Sequence, residues 1–267
     1  MTNFIHLHVH SHYSLLDGLG KVDELIARAK ELKMPALALT DHGNMYGAIE
    51  FYTKCKKAGI KPILGVEAYL APRGMVDKVP KIDSLAYHQL LLAKDEKGYQ
   101  NLLFLVSEAH TKGMYYKPRI DLNLLADHSQ GLIGTSSCLG GMIPEPLLAD
   151  DWTKAVSLTK KMVEIFHGDF YLELQHHPSL PNQAKVNIGL QKLAKTLDLP
   201  LIVTGDVHYV RPADKEAHEV LLAVNTGKDL TSDDRFSFGD VVVSMRDEDF
   251  YAQAFPDTPE AITNTAR

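Results

Sequence analysis

Cysteine is scarce in this chain of 267 residues, which holds two, Cys55 and Cys138. Two thiols cannot frame a disulfide-stapled fold and suit a reducing compartment, so a cytoplasmic location is expected. Long apolar runs are missing as well. None approaches the ~20 residues that cross a bilayer, and the N-terminus has no signal-peptide pattern, so no membrane association is expected. Positive charge is not in excess: 28 Lys and Arg against 34 Asp and Glu give a formal net charge of -6. That balance lacks the basic footprint of a stand-alone nucleic-acid binder. No glycine-rich phosphate loop or dinucleotide-binding motif occurs, so hydrolysis of that kind is not indicated. Internal repeats and low-complexity segments are also lacking. What is present is ordinary for a globular chain, 45% apolar and 23% charged, and the length falls within the range of one α/β barrel.

Histidine is the exception, with 13 copies, and its placement at the start of the chain is the strongest signal. Residues Phe4 to His12 read as a strand with imidazoles at His6, His8, His10 and His12 and aliphatics at Ile5, Leu7 and Val9. Successive side chains of a strand point to opposite faces, so this spacing puts four imidazoles on one face. Neutral imidazole suits zinc, iron and copper, and an H-x-H pair can hold one ion from one side.

Beyond it, strand and helix alternate. Asp17 to Gly20 is a turn, and Val22, Leu25, Ile26, Ala29 and Leu32 mark a helix that Pro35 ends. Ala36 to Thr40 is a short buried strand opening into Asp41-His42-Gly43. A helix follows to about Lys57, stopped by Gly59. Lys61 to Leu70 is a strand carrying Glu67 inside apolar sequence, and Ala71 to Ser84 is a long loop suited to a lid. His88 to Ala93 is a strand, a helix runs over Leu102 to Ala109, and Tyr115 to Gln130 reads as loop. Then come a strand at Gly131–Ser136, a helix at Trp152–Phe166, a strand at Asp169–Gln175, a helix over Val186–Leu197 and a strand at Leu201–Thr204. Seven strand–helix units predict a parallel sheet with right-handed crossovers, closed as an α/β barrel, with an open doubly wound sheet as the alternative. Polar residues at strand ends favour closure, because a ring brings all those ends around one centre. Thr258-Pro259-Glu260 is a helix start with Thr258 as N-cap, and few residues follow it, so an excised piece of a longer chain is expected.

The candidate metal ligands are His8, His10, Asp17, His42, Glu67, His88, Cys138, Asp206 and His208. Imidazole, carboxylate and one thiol fit zinc, manganese or iron rather than magnesium or calcium. Nine ligands exceed the needs of one ion and suffice for two or three divalent metals, with Glu67 bridging. Closely spaced metals activate water and neutralise phosphoryl charge, so phosphoester hydrolysis is the natural chemistry and no nucleophilic Ser or Cys is required. His10, Glu67 and Asp206 are the residues on which catalysis is expected to rest. His88 opens its strand where the other ligands close theirs, which leaves His110 as a competitor. Arg119 is a candidate for gripping a substrate phosphate through its planar fork, against a plain structural ion pair. His6 is expected one layer deeper, His176 and His177 in solvated loop, and His218 packed on a helix.

These residues carry a resemblance. His8-Val9-His10-Ser11, Leu16-Asp17-Gly18, Thr40-Asp41-His42-Gly43, Gly65-Val66-Glu67 and Gly205-Asp206-Val207-His208-Tyr209 resemble the successive motifs of the polymerase and histidinol phosphatase (PHP) family. Between them, His88 to Lys94 with Gly98-Tyr99-Gln100-Asn101, Tyr116 to Asp121 and Ser136 to Gly140 resemble the N-terminal domains of bacterial replicative DNA polymerase III alpha subunits. The resemblance spans essentially the whole chain. It implies one PHP domain over residues 1–267, the N-terminal part of a longer polymerase chain. The implied fold is a distorted seven-stranded barrel, TIM-like, with a trinuclear metal centre at the carboxyl ends of the strands. His8, His10, Glu67 and Asp206 would serve one metal, Glu67, His88 and Cys138 a second, and Asp17, His42 and His208 a third. The implied activity is a metal-dependent 3′–5′ exonuclease acting on DNA 3′ ends. The implied partners are the rest of the alpha chain and other polymerase III subunits. Hydrolysis of pyrophosphate or of small phosphoesters, and a silent structural role docking other subunits, are the alternatives. His12 stands where the family more often has an acidic residue, and Gly205 where Asn is usual. No acidic triad of a polymerase palm occurs, so templated synthesis is not expected of these residues.

Overall fold

The computed structural model describes residues 2–232 and 234–267. In chain order its main elements are α1 (Val22–Glu31), β1 (Ala36–Leu39), α2 (Ala48–Ala58), β2 (Lys61–Leu70), β3 (Tyr87–Ala93) and α3 (Glu96–Thr111). Next come β4 (Met114–Tyr115), β5 (Lys117–Ile120), α4 (Leu122–Asp127), β6 (Leu132–Thr135), α5 (Pro144–Leu148), α6 (Trp152–Ile165) and β7 (Phe170–Gln175). The chain continues through α7 (Pro181–Leu197), β8 (Leu201–Thr204), α8 (Lys215–Thr226), α9 (Glu248–Ala254) and α10 (Glu260–Thr263). Residues 115–130, expected as loop, hold the β4–β5 hairpin and α4, which Asp121 caps through the Leu124 amide. Thr258 does not cap α10 with its hydroxyl; its backbone carbonyl accepts from Ala261 instead.

The sheet runs β1, β2, β3, β6, β7, β8, with β5 and β4 added beside the end of β2. The N-terminal segment, residues 4–10, closes it. On one side it bonds to β1 and Thr40, through Ala38 N to His6 O at 3.0 Å and Thr40 N to Val9 O at 2.9 Å. On the other it bonds to the end of β8, through His10 N to Val207 O at 2.7 Å and Val207 N to His8 O at 3.1 Å. The outcome is a distorted α/β ring. Its core confirms closure: Ile5, Leu7, Ala36, Ala38, Leu92 and Ile202, with Ile63, Ile133 and Tyr171, come from every member of the ring and fill its interior. The outer core lies between sheet and helices and includes Leu25, Phe51, Leu102, Met162 and Leu190.

Two expectations fail here. The sheet is mixed, because β3 runs antiparallel to both β2 and β6 while β1–β2, β6–β7 and β7–β8 are parallel. The cause is the connection: residues 71–86 contain no crossover helix, so the chain turns back at the end it left, and only an antiparallel neighbour results. The N-terminal segment is also not one regular strand. Ile5 and Leu7 face the ring interior, but Val9 joins Phe4 in the outer core, so the two-residue alternation breaks between Leu7 and Val9. His6 consequently packs outside, its ring 4.9 Å from Phe4 and 5.8 Å from Tyr251, with Nε2 2.8 Å from the Arg246 carbonyl. His12 is exposed. The single imidazole face therefore reduces to His8 and His10.

Candidate metal centre

The polar side chains gather at one end of the ring. His8 and His10 come from the N-terminal segment, Asp17 from the turn after it, and His42 from the residues after β1. Glu67 lies within β2, and Cys138 follows β6. Asp206 and His208 follow β8. His88 arrives from the second residue of β3, and the reversal of that strand is the reason: its amino end lies beside the carboxyl ends of the others. His110 is elsewhere, with Nε2 2.9 Å from the Gly43 carbonyl.

Glu67 is the hub, 1% exposed. Its Oε1 stands 3.2 Å from His8 Nε2, 3.0 Å from His88 Nδ1 and 3.6 Å from Cys138 Sγ. Its Oε2 stands 2.7 Å from His42 Nδ1 and 3.5 Å from His10 Nε2. Asp206 Oδ1 is 3.3 Å from both His8 Nε2 and His10 Nε2. Asp17 faces His42 Nε2 at 3.0 Å and His208 Nε2 at 3.6 Å. All nine candidate ligands thus meet in one cluster. Within it, three sets of ligand atoms lie within 4.8 Å of one another: His8 with His10 and Asp206, Glu67 with His88 and Cys138, and His10 with His42 and His208.

Three observations fit this cluster to divalent cations. Buried atoms that make no well-aligned hydrogen bond concentrate in it, even where an oxygen or nitrogen stands close by: His8 Nε2, His10 Nε2, Asp17 Oδ1, His42 Nδ1, Glu67 Oε2 and Asp206 Oδ1. Such atoms are costly unless something else satisfies them. Ligands at ~2.0–2.2 Å around a tetrahedral ion stand roughly 3.3–3.6 Å apart, close to the 3.2–3.5 Å found between His8, His10, Glu67 and Asp206. The carboxylates of Asp17, Glu67 and Asp206 have no Lys or Arg at ion-pair distance among the described residues, so imidazoles are the only side chains there that can carry positive charge.

That imbalance shapes the protonation of the cluster. Burial raises the Glu67 carboxyl, but His88, His8 and His42 outweigh it and hold it well below the usual range. Asp206 and Asp17 are likewise lowered, against burial, by the imidazoles beside them. Burial lowers His42, yet Glu67 and Asp17 carry it up to about 9. His10 goes the other way, to about 3, from burial and from the charges of His42 and His208. Burial, with Glu67 and Asp206 adding, pushes the Cys138 thiol well up.

A shell behind the ligands aims them. His8 Nδ1 lies 2.8 Å from Glu173 Oε1, which leaves Nε2 toward the centre. Glu173 is fully buried and also accepts from the Thr135 and Thr204 hydroxyls, at 2.5 Å each, and from Gln175 Nε2 at 3.0 Å. The Ser14 hydroxyl stands 3.0 Å from His10 Nδ1 and donates to Asp41 at 2.8 Å. His218 Nε2 is 2.7 Å from the Asp17 carbonyl, so this helix histidine packs as expected while holding the turn. Asp206 sits at φ 45°, and Gly205 before it is dictated by space: a Cβ there would run into the Tyr251 hydroxyl and crowd the His6 ring. Sequence reading missed Glu173, although a carboxylate inside the apolar strand Phe170–Gln175 is the same signal that singled out Glu67. His177, expected in solvent, is buried at the mouth with Nε2 3.2 Å from Gln175 Oε1.

Arg119 lies outside the centre, and its expected grip on substrate phosphate is overturned. It is fully buried, and its guanidinium donates to the carbonyls of Asp83, Met75, Asp77 and Gly113 at 2.7–3.2 Å. Four of its five N–H groups are taken up in this way and the side chain has no exposed surface, so it presents nothing to a phosphate. Those bonds, with the Arg73–Asp83 pair, also pin the stretch 71–84 that was expected as a lid.

The chain matches the family model described as PHP domain over residues 6–177. It is 43% identical over 267 residues to DNA polymerase III subunit alpha of Borreliella burgdorferi, covering 100% of this chain and 23% of that protein. To the protein of the same description from Thermus aquaticus it is 45% identical over 239 residues, covering 88% of this chain and 20% of the relative. The chain thus spans between a fifth and a quarter of the length of these relatives. Its fold is similar to a two-domain Bacteroides vulgatus protein described as containing a predicted PHP-like metal-dependent phosphoesterase, at TM-score 0.45 and 15% identity, covering 86% of this chain and 57% of that one. No helix among the described residues is long and apolar enough to cross a membrane.

Proposed function

The chain belongs to the PHP family, and on that premise we propose that it is the metal-dependent phosphoesterase unit of a DNA polymerase III alpha-type protein, hydrolysing phosphodiesters at DNA 3′ ends. The observation that carries this reading is the convergence of unpartnered, buried ligand atoms on Glu67. In the proposal, His8, His10, Glu67 and Asp206 hold one cation, Glu67, His88 and Cys138 a second, and Asp17, His42 and His208 a third. Bound zinc, manganese or iron would activate water at neutral pH and neutralise charge on a phosphoryl oxygen. The chain's own residues do the rest. Glu173 and Ser14 fix the outward-facing nitrogens of His8 and His10, and Gly205 admits the packing that presents Asp206. The proposed partners are DNA, the remainder of an alpha-type chain and other polymerase III subunits.

The test is elemental analysis of the purified chain coupled to trimming of end-labelled single-stranded DNA in the same preparation. Two or three cations per chain and 3′–5′ trimming abolished in Asp206→Asn and His10→Ala are expected. A second reading, a metal-stabilised module that docks other subunits, is favoured by the depth of the same burial. Cations bound only to the folded chain add stability by mass action. A melting temperature lowered by ~5–10 °C on chelation, with no trimming under any metal, would select that reading.

A further inference from the structure

A cavity of about 400 Å³ opens directly onto the candidate metal centre. Its two sides differ in kind. One is the polar cluster of ligands; the other is an apolar wall of Leu139, Leu180, Phe236, Phe238, Val241 and Val243. Among the described residues lining it, none is Lys or Arg. Phe236 is 54% exposed and continuous with that apolar wall, so its ring is open to a ligand. The rings of Phe236 and Phe238 lie 5.5 Å apart at 69°, and Phe238 lies 5.2 Å from the ring of His208. An aromatic surface therefore stands within one residue's reach of the ligand cluster.

That chemistry discriminates among phosphoesters. Pyrophosphate or a sugar phosphate is polar throughout, would leave the wall wet and would find no Lys or Arg here. Duplex DNA is too wide for a cavity near the lower end of the ~300–1,000 Å³ range of small-molecule sites. One unstacked nucleotide has what both sides ask for: a phosphodiester for the ligand cluster and a planar base for the rings. Every base has a π-face, so such a wall binds without reading sequence.

We propose that Phe236 and Phe238 form a stacking wall for the terminal base of a single strand, selecting frayed or single-stranded 3′ ends as the substrate of this centre. The inference rests on the phosphoester reading and deepens it. Its test compares two single strands with identical bodies, one ending in an ordinary 3′ nucleotide and one ending in an abasic residue. Binding is followed by fluorescence anisotropy with chelator present, and trimming is followed with manganese added. The expected result is that the ordinary end is bound and trimmed about tenfold better, that Phe236→Ala removes most of that difference, and that Phe236→Trp keeps it. Equal handling of the two ends by the unmodified chain, or an equal loss on both ends in Phe236→Ala, overturns the stacking wall. If the ordinary end is bound better but neither is trimmed, the wall stands and the phosphoester reading falls. If neither end is bound or trimmed, both fall.

Discussion

Around Arg119 and at the mouth of the ring the chain buries charge to a similar depth, but it surrounds that charge differently. Arg119 is enclosed by four backbone carbonyls, with the Tyr115 ring 5.2 Å away, and the neighbouring Asp83 carboxylate is held by both arms of Arg73. At the mouth, Glu67 and Asp206 crowd against imidazoles, and His8 Nε2, His10 Nε2, Glu67 Oε2 and Asp206 Oδ1 stand close together without a well-formed hydrogen bond. A buried ion whose bonds are all made by its own chain is a structural tie. One whose bonds are left open is arranged for something the chain does not supply.

The largest expected effect sharpens the open side of this contrast. Glu67→Gln removes the charge shared by every part of the cluster and should lower trimming by roughly 10³-fold, since a metal site supplies several kcal/mol of transition-state stabilisation. Steady-state rates checked against metal content decide it, and a decrease below tenfold would argue that Glu67 is no hub. Arg119→Met should cost stability instead, about 3 kcal/mol from the carbonyls left unpaired, with kcat/KM per folded molecule unchanged. Denaturant melts and kinetics on the same sample separate the two, and a selective loss of activity would restore the phosphate-gripping role.

Glu173→Gln comes next. It keeps the shape but weakens the hold on His8 Nδ1, and cation affinity should fall ~10–100-fold. Equilibrium titration with zinc reads this directly, and unchanged affinity would reduce Glu173 to a packing residue. The smallest effect is a pH dependence on the closed side. The side-chain bonds from Arg73, against the opposing effect of burial, hold the Asp83 carboxyl below its ordinary value. A depressed carboxylate stabilises the fold above the unfolded pKa of ~3.9, and that contribution fades as pH falls through the lower folded value. Amide protection of residues 74–83 should therefore drop below about pH 4, and Asp83→Asn should flatten that dependence. Protection that is pH-independent in the unmodified chain would show that the pair ties nothing down.

Most strands and helices were legible from periodicity and stop signals. Lys61–Leu70 was bounded to the residue, and Gly59 ends α2 in the left-handed conformation expected of it. The nine candidate ligands were legible because polar residues at strand ends interrupt apolar sequence, and the structure gathers all of them. The β4–β5 hairpin escaped notice because its strands are too short to show alternation.

The amino-acid order alone determined which side chains were available for the cluster and that they lie near strand ends, since residue type and local period are properties of neighbours along the chain. Tertiary structure alone decided that β3 runs backwards and so delivers His88, that His6 turns away while His8 and His10 turn in, and that Arg119 spends its donors on carbonyls. Strand direction, facing and hydrogen-bond saturation depend on segments far apart in the chain, and no local pattern encodes the partner at the other end.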